Sequence, residues 1–406
     1  MAEMASFCDL SNEIVENIML WVPADSLVQF KRVNKFWYSL ISDFINDPTF
    51  VAKHLLITKD QSSASVLSIQ PSPHVDHRLI TYPLLTIIYD DDDRKNDHFI
   101  TVTEALSMPL IRNERCKDNN RLNEVYHCDG LILLVNDVGT MVLCNPALKQ
   151  SMILPQPKNA IFKGAPSCMG FEFDSRNNNY KCVAIWCDGE CKVEVYTVGS
   201  DSWRETDMSQ DITDSIVDTE LNEGLYWRGV CYWLVRYVDE EEAFVLLSFN
   251  MSNEEFHLID LPDVEASVHD LIHEDDDIGF YSLHLSLWND SVVMCLSPER
   301  YNILHIFTMD EAGAFSWTKC VQVGPLENEC DQLPFWKNDE ILLKVRNIEL
   351  VNLDQHHSIR CKQVVQLVSY NIRTQKLRDV ACDLDRNVLN SSVCFYVKSL
   401  ISIKRR

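Results

Sequence analysis

Hydrophobic and polar positions follow two different periods along this chain, and the change falls near residue 60. Before it, the spacing is helical. Ile14, Ile18 and Trp21 or Val22 recur every three or four residues, Ser11 or Asn12 can cap the helix they define, and Pro23 stops it. Leu27, Phe30 and Val33 predict a second, short helix with Asp25 or Ser26 as its cap. Trp37, Leu40, Ile41 and Phe44 stand at i, i+3, i+4 and i+7, one buried face of a third. Asp47-Pro48 then turns the chain toward Phe50 and Leu55. Three such helices cannot bury all these apolar side chains against one another. A second domain or a partner protein must cover the surplus, and the pattern leaves both open.

Beyond residue 60 come short β-type runs separated by turns, and they repeat. Leu143-Cys144-Asn145-Pro146, Val195-Tyr196-Thr197, Leu247-Ser248-Phe249-Asn250, His305-Ile306-Phe307-Thr308 and Val368-Ser369-Tyr370-Asn371 recur at intervals of about 50–60 residues. A turn and a further run follow each, at 151–155, 202–205, 255–258, 316–319 and 376–378. A hairpin precedes each, turning at Asp129-Gly130, 174–179, Arg228-Gly229, Asn289-Asp290 and Asn338-Asp339. Four strands per unit predict the blades of a β-propeller. Five units fill 122–380, and strands within 64–89 together with the terminal run 393–403 would make a sixth, closing the ring from both ends. The alternative is an antiparallel β-sandwich, which gives no reason for a repeat. The predicted organisation is a small all-α domain over 8–57 followed by an all-β domain over 62–406, a β-propeller of about six blades.

In a four-stranded meander, successive turns lie on opposite faces. The middle turns at 136–139, 187–190, 239–242, 297–300 and 346–360 therefore share a face with the long connections between units, such as 206–219 and 262–279. Two acidic clusters converge there: Asp239, Glu240, Glu241 and Glu242, and Glu274, Asp275, Asp276 and Asp277. Long loops on a rigid scaffold are where binding residues concentrate, so these eight are the candidate substrate-binding residues. Asp90 to Asp93 form a third cluster that the alternation does not assign to a face.

Charge narrows the partners. With 61 Asp and Glu against 36 Lys and Arg, the net charge is −25. Such a chain repels a phosphate backbone and an anionic bilayer, so neither nucleic acid nor membrane is an expected partner. A basic protein would be drawn to it, through faster encounter more than tighter holding. Fifteen cysteines, without a basic and apolar leader, predict reduced thiols in the cytoplasm or nucleus. No pair of cysteines has the Cys-x-x-Cys spacing of a zinc ligand set, and Cys182, Cys187 and Cys191 surround one predicted hairpin without a fourth ligand. His269 and His273 read as loop residues. Phosphate-loop and nucleophile-elbow patterns are missing too, so no catalytic residue, metal or cofactor is expected. Trp203, Trp233, Trp288, Trp317 and Trp336 recur with the units and read as blade core, not as a sugar-stacking site.

The helical segment resembles a known family. Leu10, Glu13, Ile18, Leu20, Pro23, Ser26-Leu27, Phe30-Lys31, Val33, Lys35, Trp37, Leu40-Ile41, Pro48, Phe50 and His54-Leu55 stand in the order and spacing of plant F-box proteins. The resemblance implies a three-helix F-box that inserts into a Skp-type adaptor, which bridges to a cullin and a RING subunit. Leu10, Ile14, Ile18, Pro23, Leu27, Phe30, Val33, Trp37, Leu40 and Ile41 would make that contact. Two departures stand out: Ser11 replaces the family's usual proline, and 42–46 resembles a short insertion after the third helix.

The β units in turn resemble the F-box-associated, kelch-like domain of the same proteins, at Cys128-Asp129-Gly130-Leu131-Ile132, Asn145-Pro146-Ala147, Gly170-Phe171-Glu172-Phe173-Asp174, Tyr180-Lys181-Cys182-Val183 and Ser202-Trp203-Arg204. With the tail 396–404 they are most similar to the S-locus F-box proteins of pollen. What this implies is a non-catalytic substrate receptor of a Skp-cullin-F-box ubiquitin ligase, whose β domain presents a protein for ubiquitination and proteasomal degradation. The S-locus likeness implies basic S-ribonucleases as targets in the pollen tube. The alternatives are a general F-box receptor for another target, and a propeller enzyme or sugar-binding module with an incidental helical cap.

Overall fold

The computed structural model describes residues 10–61, 66–70, 84–90, 99–105 and 122–403, apart from 137, 189, 217–223, 237–243, 264–280, 299–302, 311–315, 325, 327–329, 338, 354–357 and 381–392. The N-terminal segment holds four helices rather than three: α1 (Asn12–Leu20), α2 (Ala24–Phe30), α3 (Lys35–Asn46) and α4 (Pro48–Gln61). Ser11 caps α1, its hydroxyl accepting from the Ile14 amide at 3.4 Å. A serine in the usual proline position therefore preserves the helix start. Pro23 is the N-cap residue of α2, so neither Asp25 nor Ser26 caps it. Asn34 caps α3 from the Trp37 amide at 3.0 Å. Residues 42–46 continue α3 to its end, with Phe44 and Ile45 extending its apolar face. The fourth helix starts at Pro48, whose fixed φ and missing N–H suit the first helical position.

Among the described residues, the β domain forms six four-stranded antiparallel sheets. The first contains β1 (Val66–Gln70), β2 (Leu84–Asp90) and β3 (Phe99–Ala105). The second is β4 (Leu122–Cys128), β5 (Leu131–Asn136), β6 (Met141–Asn145) and β7 (Gln150–Ile153), and the third β8 (Cys168–Asp174), β9 (Asn179–Asp188), β10 (Glu190–Thr197) and β11 (Arg204–Thr206). The fourth runs β12 (Gly224–Trp227), β13 (Val230–Arg236), β14 (Phe244–Asn250) and β15 (Phe256–Asp260). The fifth comprises β16 (Tyr281–Trp288), β17 (Ser291–Pro298), β18 (Leu304–Asp310) and β19 (Ser316–Val323), and the sixth β20 (Cys330–Lys337), β21 (Glu340–Leu353), β22 (Ser358–Asn371) and β23 (Lys376–Asp379). The last strand, β24 (Val393–Phe395), pairs antiparallel with β1 and completes the first sheet from the far end of the chain. Edge strands of neighbouring sheets pack together, β4 and β12 on β8, β12 on β16, β16 on β20 and β20 on β24. That is the arrangement of a propeller, as the repeat predicts, and not of a two-sheet sandwich.

The local chemistry explains the repeat. Middle strands are covered on both faces by neighbouring blades, so Leu131 to Val135, Cys182 to Trp186, Cys231 to Val235 and Val292 to Leu296 are continuous buried runs. Full burial of each such side chain stabilises by roughly 1.5–3 kcal/mol. First hairpins turn through paired positive φ at Asp129-Gly130, Arg228-Gly229 and Asn289-Asp290, the handedness that matches strand twist. The Asn that ends the third strand folds the outer turn: Asn250 accepts from the Ser252 and Asn253 amides, and Asn371 from those of Arg373 and Thr374. Trp233 and Tyr226 both donate to the Met169 carbonyl of the preceding blade, at 3.0 and 2.6 Å. Gly170 permits this approach, because a Cβ there would meet Cys231 Sγ at 2.6 Å. One prediction differs in extent: β21 and β22 continue through most of 346–360 as one long hairpin rather than a loop.

Candidate functional site

The helices present two unlike faces. On α1, Val15, Met19 and Leu20 point inward with Ala24, Leu27, Ile41 and Phe50, and this cluster includes Ala147 and Leu400 of the β domain. The opposite stripe is uncovered. Leu10, Ile14, Ile18 and Trp21 follow at helical spacing and are exposed, Ile14 by 48% and Trp21 by 61%. A second exposed group, Val33, Phe36 and Tyr38, lies where α2 gives way to α3. Lys31 stands over the Tyr38 ring, 5.0 Å from its centroid.

The ten adaptor-contact residues expected from the sequence therefore divide. Leu10, Ile14, Ile18, Pro23 and Val33 are exposed, and Phe30, Trp37 and Leu40 are half-buried. Leu27 and Ile41 are wholly buried, at 0% exposure, and present no surface to a partner. Their 3.6-residue periodicity marks core and docking positions alike. Trp21, Phe36 and Tyr38 were not among the candidates. The stripe Leu10-Ile14-Ile18 already extends to Trp21 by spacing, whereas only Val22 of that pair packs inward. His54 locks the end of α1, its Nε2 lying 2.8 Å from the Val22 carbonyl. Burial lowers its pKa despite that hydrogen bond, which favours the neutral ring.

The helices sit on one identifiable face of the ring. Lys59 pairs with Asp129 in the β4–β5 turn, Ala147 and Leu148 of the β6–β7 turn join the helical core, and Lys398 meets Asp25 at 2.6 Å. Behind Lys59, the Tyr180 hydroxyl donates to Asp129 at 2.9 Å and the Cys128 thiol to Glu172 at 3.0 Å. Burial first, and then the carboxylates beside them, push the Tyr180 and Cys128 pKa values up. Burial would lower that of Lys59, but Asp129 outweighs it and raises the pKa. Of these contacts the Lys59–Asp129 pair joins the helices to the β domain, and the Tyr180 and Cys128 hydrogen bonds hold its β-domain side in place.

By alternation, β5 and β9 end, and β6 and β10 begin, at the far face, where β7 and β11 also end. Gly139 contacts the 160–164 connection, where α5 (Ala160–Lys163) lies, and α6 (Gln210–Ser215) occupies the next one. The wholly buried Glu194 carboxylate fastens the first of these, accepting from the amides of Lys158 and Asn159 at 3.1 and 2.8 Å. The eight candidate substrate-binding residues, Asp239 to Glu242 and Glu274 to Asp277, lie outside the described residues, as do His269 and His273. Their flanking strands are described: β13 and β15 run the same way, so Arg236 and Asp260 end at the same face. Asp90, the last residue of β2, ends on the helix-bearing face instead. Cys187 and Cys191 face each other across β9–β10 and form a disulfide, Cα atoms 4.3 Å apart, where reduced thiols are expected from the sequence. Among the described residues no group of His, Cys, Asp or Glu has metal-holding geometry, and no helix is long and apolar enough to cross a membrane. Trp203 and Trp233 are buried in the blade core, and Trp288 is half-buried against Phe335.

Comparison with known proteins matches both parts. The F-box domain profile matches residues 7–48, and that of the F-box associated beta propeller domain matches 82–403. The Arabidopsis thaliana F-box protein At3g10430 is 29% identical across 96% of this chain and 98% of its own length. A second, At3g21120, is 26% identical across 76% of this chain and 80% of its own. Among solved structures, YCF48 from Cyanidioschyzon merolae aligns over 79% of this chain and 86% of its own at 8% identity and TM-score 0.43.

Proposed function

This chain belongs to the F-box proteins that carry an F-box associated beta propeller domain, and on that premise we propose that it is the substrate-recognition subunit of a Skp-cullin-F-box ubiquitin ligase. The observation that carries the reading is the division of the helical surface. The inward apolar residues are buried in a core that the helices share with Ala147 and Leu400 of the propeller, while Leu10, Ile14, Ile18 and Trp21 remain uncovered on the opposite stripe of α1. An apolar stripe of this kind marks an interaction site, and a Skp-type adaptor is the partner that the family supplies. The adaptor brings the cullin and RING subunits, and the receptor contributes no catalysis of its own.

Substrate binds, on this reading, to the ring face remote from the helices. Three connections of that face, 207–223, 237–243 and 261–280, carry seventeen Asp and Glu and neither Lys nor Arg. They hold Asp239 to Glu242 and Glu274 to Asp277 and favour a basic protein target by steering its approach. A basic S-ribonuclease taken up by pollen tubes is one target with that charge.

Affinity purification of the full chain from plant tissue, pollen included, tests the reading. Adaptor and cullin should co-purify with a basic protein that accumulates when the proteasome is inhibited. Recovery of neither adaptor nor cullin would overturn the ligase assignment. Recovery of both with a target other than a ribonuclease would retire only the pollen reading.

A further inference from the structure

We propose that adaptor binding is made conditional on closure of the propeller, through the last residues of the chain. The inference rests on the adaptor-docking role proposed for α1. Residues 393–403 meet three partners in succession. Val393 to Phe395 pair with β1 and close the ring. The tail then lies along the second blade, where the buried Asn145 amide donates to the carbonyls of Ser399 and Ile401 at 3.1 and 2.8 Å. Gly130 lets it approach, because a Cβ there would meet the Val397 carbonyl oxygen at 2.4 Å. Gln150 accepts from the Ile403 amide at 3.0 Å. Finally Leu400, 1% exposed, enters the same core as Val15, Met19 and Leu20 of α1, and Lys398 pairs with Asp25 of α2.

The inward side of α1 is thus completed by a residue nearly four hundred positions away, and the outward side of the same helix is the docking stripe. A nine-residue helix is marginal alone, so its order depends on that core. Leu400 follows the end of β24 by only a few residues, so the pairing of β24 with β1 brings the tail to the second blade and the helices. A chain with an open ring would therefore lack an ordered docking stripe, and only a receptor with a finished substrate domain would enter the ligase.

Calorimetry of the full chain with a purified Skp-type adaptor tests this. Leu400→Asp places a carboxylate in the shared core and should weaken binding by on the order of tenfold, with amide protection in the fourth and fifth blades unchanged. Lys398→Glu should weaken it about threefold, the size a partly exposed ion pair supports, and adding Asp25→Lys to that chain should restore it. That pair decides the matter if Leu400→Asp unfolds the whole protein. Wild-type affinity in Leu400→Asp, or no rescue by the exchanged charges, would overturn the coupling. Failure of the unmodified chain to bind adaptor would overturn the ligase reading instead.

Discussion

Lys181 Nζ lies 2.6 Å from Asp174 Oδ2, with both side chains withdrawn from solvent between the third and fourth blades. Lys181 also reaches Glu254 and the Met251 carbonyl, both at 2.9 Å, and Asp174 accepts from Ser252 at 2.9 Å. Burial alone would raise the Asp174 pKa, but hydrogen bonds from Lys181, Asn177 and Ser252 hold it well below its ordinary 3.8. The pair contributes stability that is fully present above pH 4 and is lost as pH falls from the unfolded carboxylate value through the folded one. Lys181→Met leaves the buried Asp174 carboxylate without its cation, while Glu254 keeps Arg204, and should destabilise the β domain by about 3–5 kcal/mol in urea titrations at pH 7. Adding Asp174→Asn should recover part of that loss.

Glu124 behaves in the opposite sense. It sits on the innermost strand of the second blade, accepts from the Tyr126 hydroxyl, and burial raises its pKa from 4.5 to about 7. A carboxyl with a raised folded pKa costs stability as pH climbs from its unfolded value through the folded one. Glu124→Gln should therefore stabilise the protein at pH 8 by on the order of 2 kcal/mol and change little at pH 4.5. Thermal melts of both proteins across that range are the measurement, and a pH-independent difference would contradict the assignment.

The two faces of α1 predict opposite phenotypes. Ile14→Asp with Ile18→Asp alters exposed positions and should abolish adaptor binding while the melting temperature holds. Leu27→Ala empties a wholly buried site and should destabilise the helical domain by roughly 2–5 kcal/mol. Adaptor affinity per folded molecule should fall far less for Leu27→Ala than for the double aspartate. Calorimetry beside denaturant titration separates the two effects.

What the sequence discloses and what it conceals follow from range. The third strands of the second, fourth and sixth blades repeat visibly because Asn145, Asn250 and Asn371 fold the turn that follows, a demand met within three residues. Helices α1 to α3 show through periodicity, whereas Pro48 reads as a stop although it starts α4. Inward and outward apolar residues look alike, because what covers Leu27 and Ile41 includes Ala147 and Leu400, supplied from far along the chain. The Cys187–Cys191 bond is hidden for a related reason: only the β9–β10 register sets those thiols opposite each other.

The proposed substrate-binding acidic connections make the last prediction. The connections at 237–243 and 261–280 leave β13 and β15 at one edge, beyond Arg236 and Asp260. Their carboxylates would act through a shared field, which screens over about 8 Å at physiological salt. Reversing Asp239, Glu240, Glu241 and Glu242 with Asp275, Asp276 and Asp277 to lysine should slow association of a basic target at least tenfold at low salt. The difference should shrink as salt rises, because steering is lost when charges are screened, while dissociation changes little. Adaptor affinity should stay constant, since the proposed docking stripe of α1 belongs to the helices, which meet the β4–β5 and β6–β7 turns. Stopped-flow association across a salt series distinguishes this from a contact effect: an equal loss at every salt concentration would mean that the loops hold the target directly instead of drawing it in.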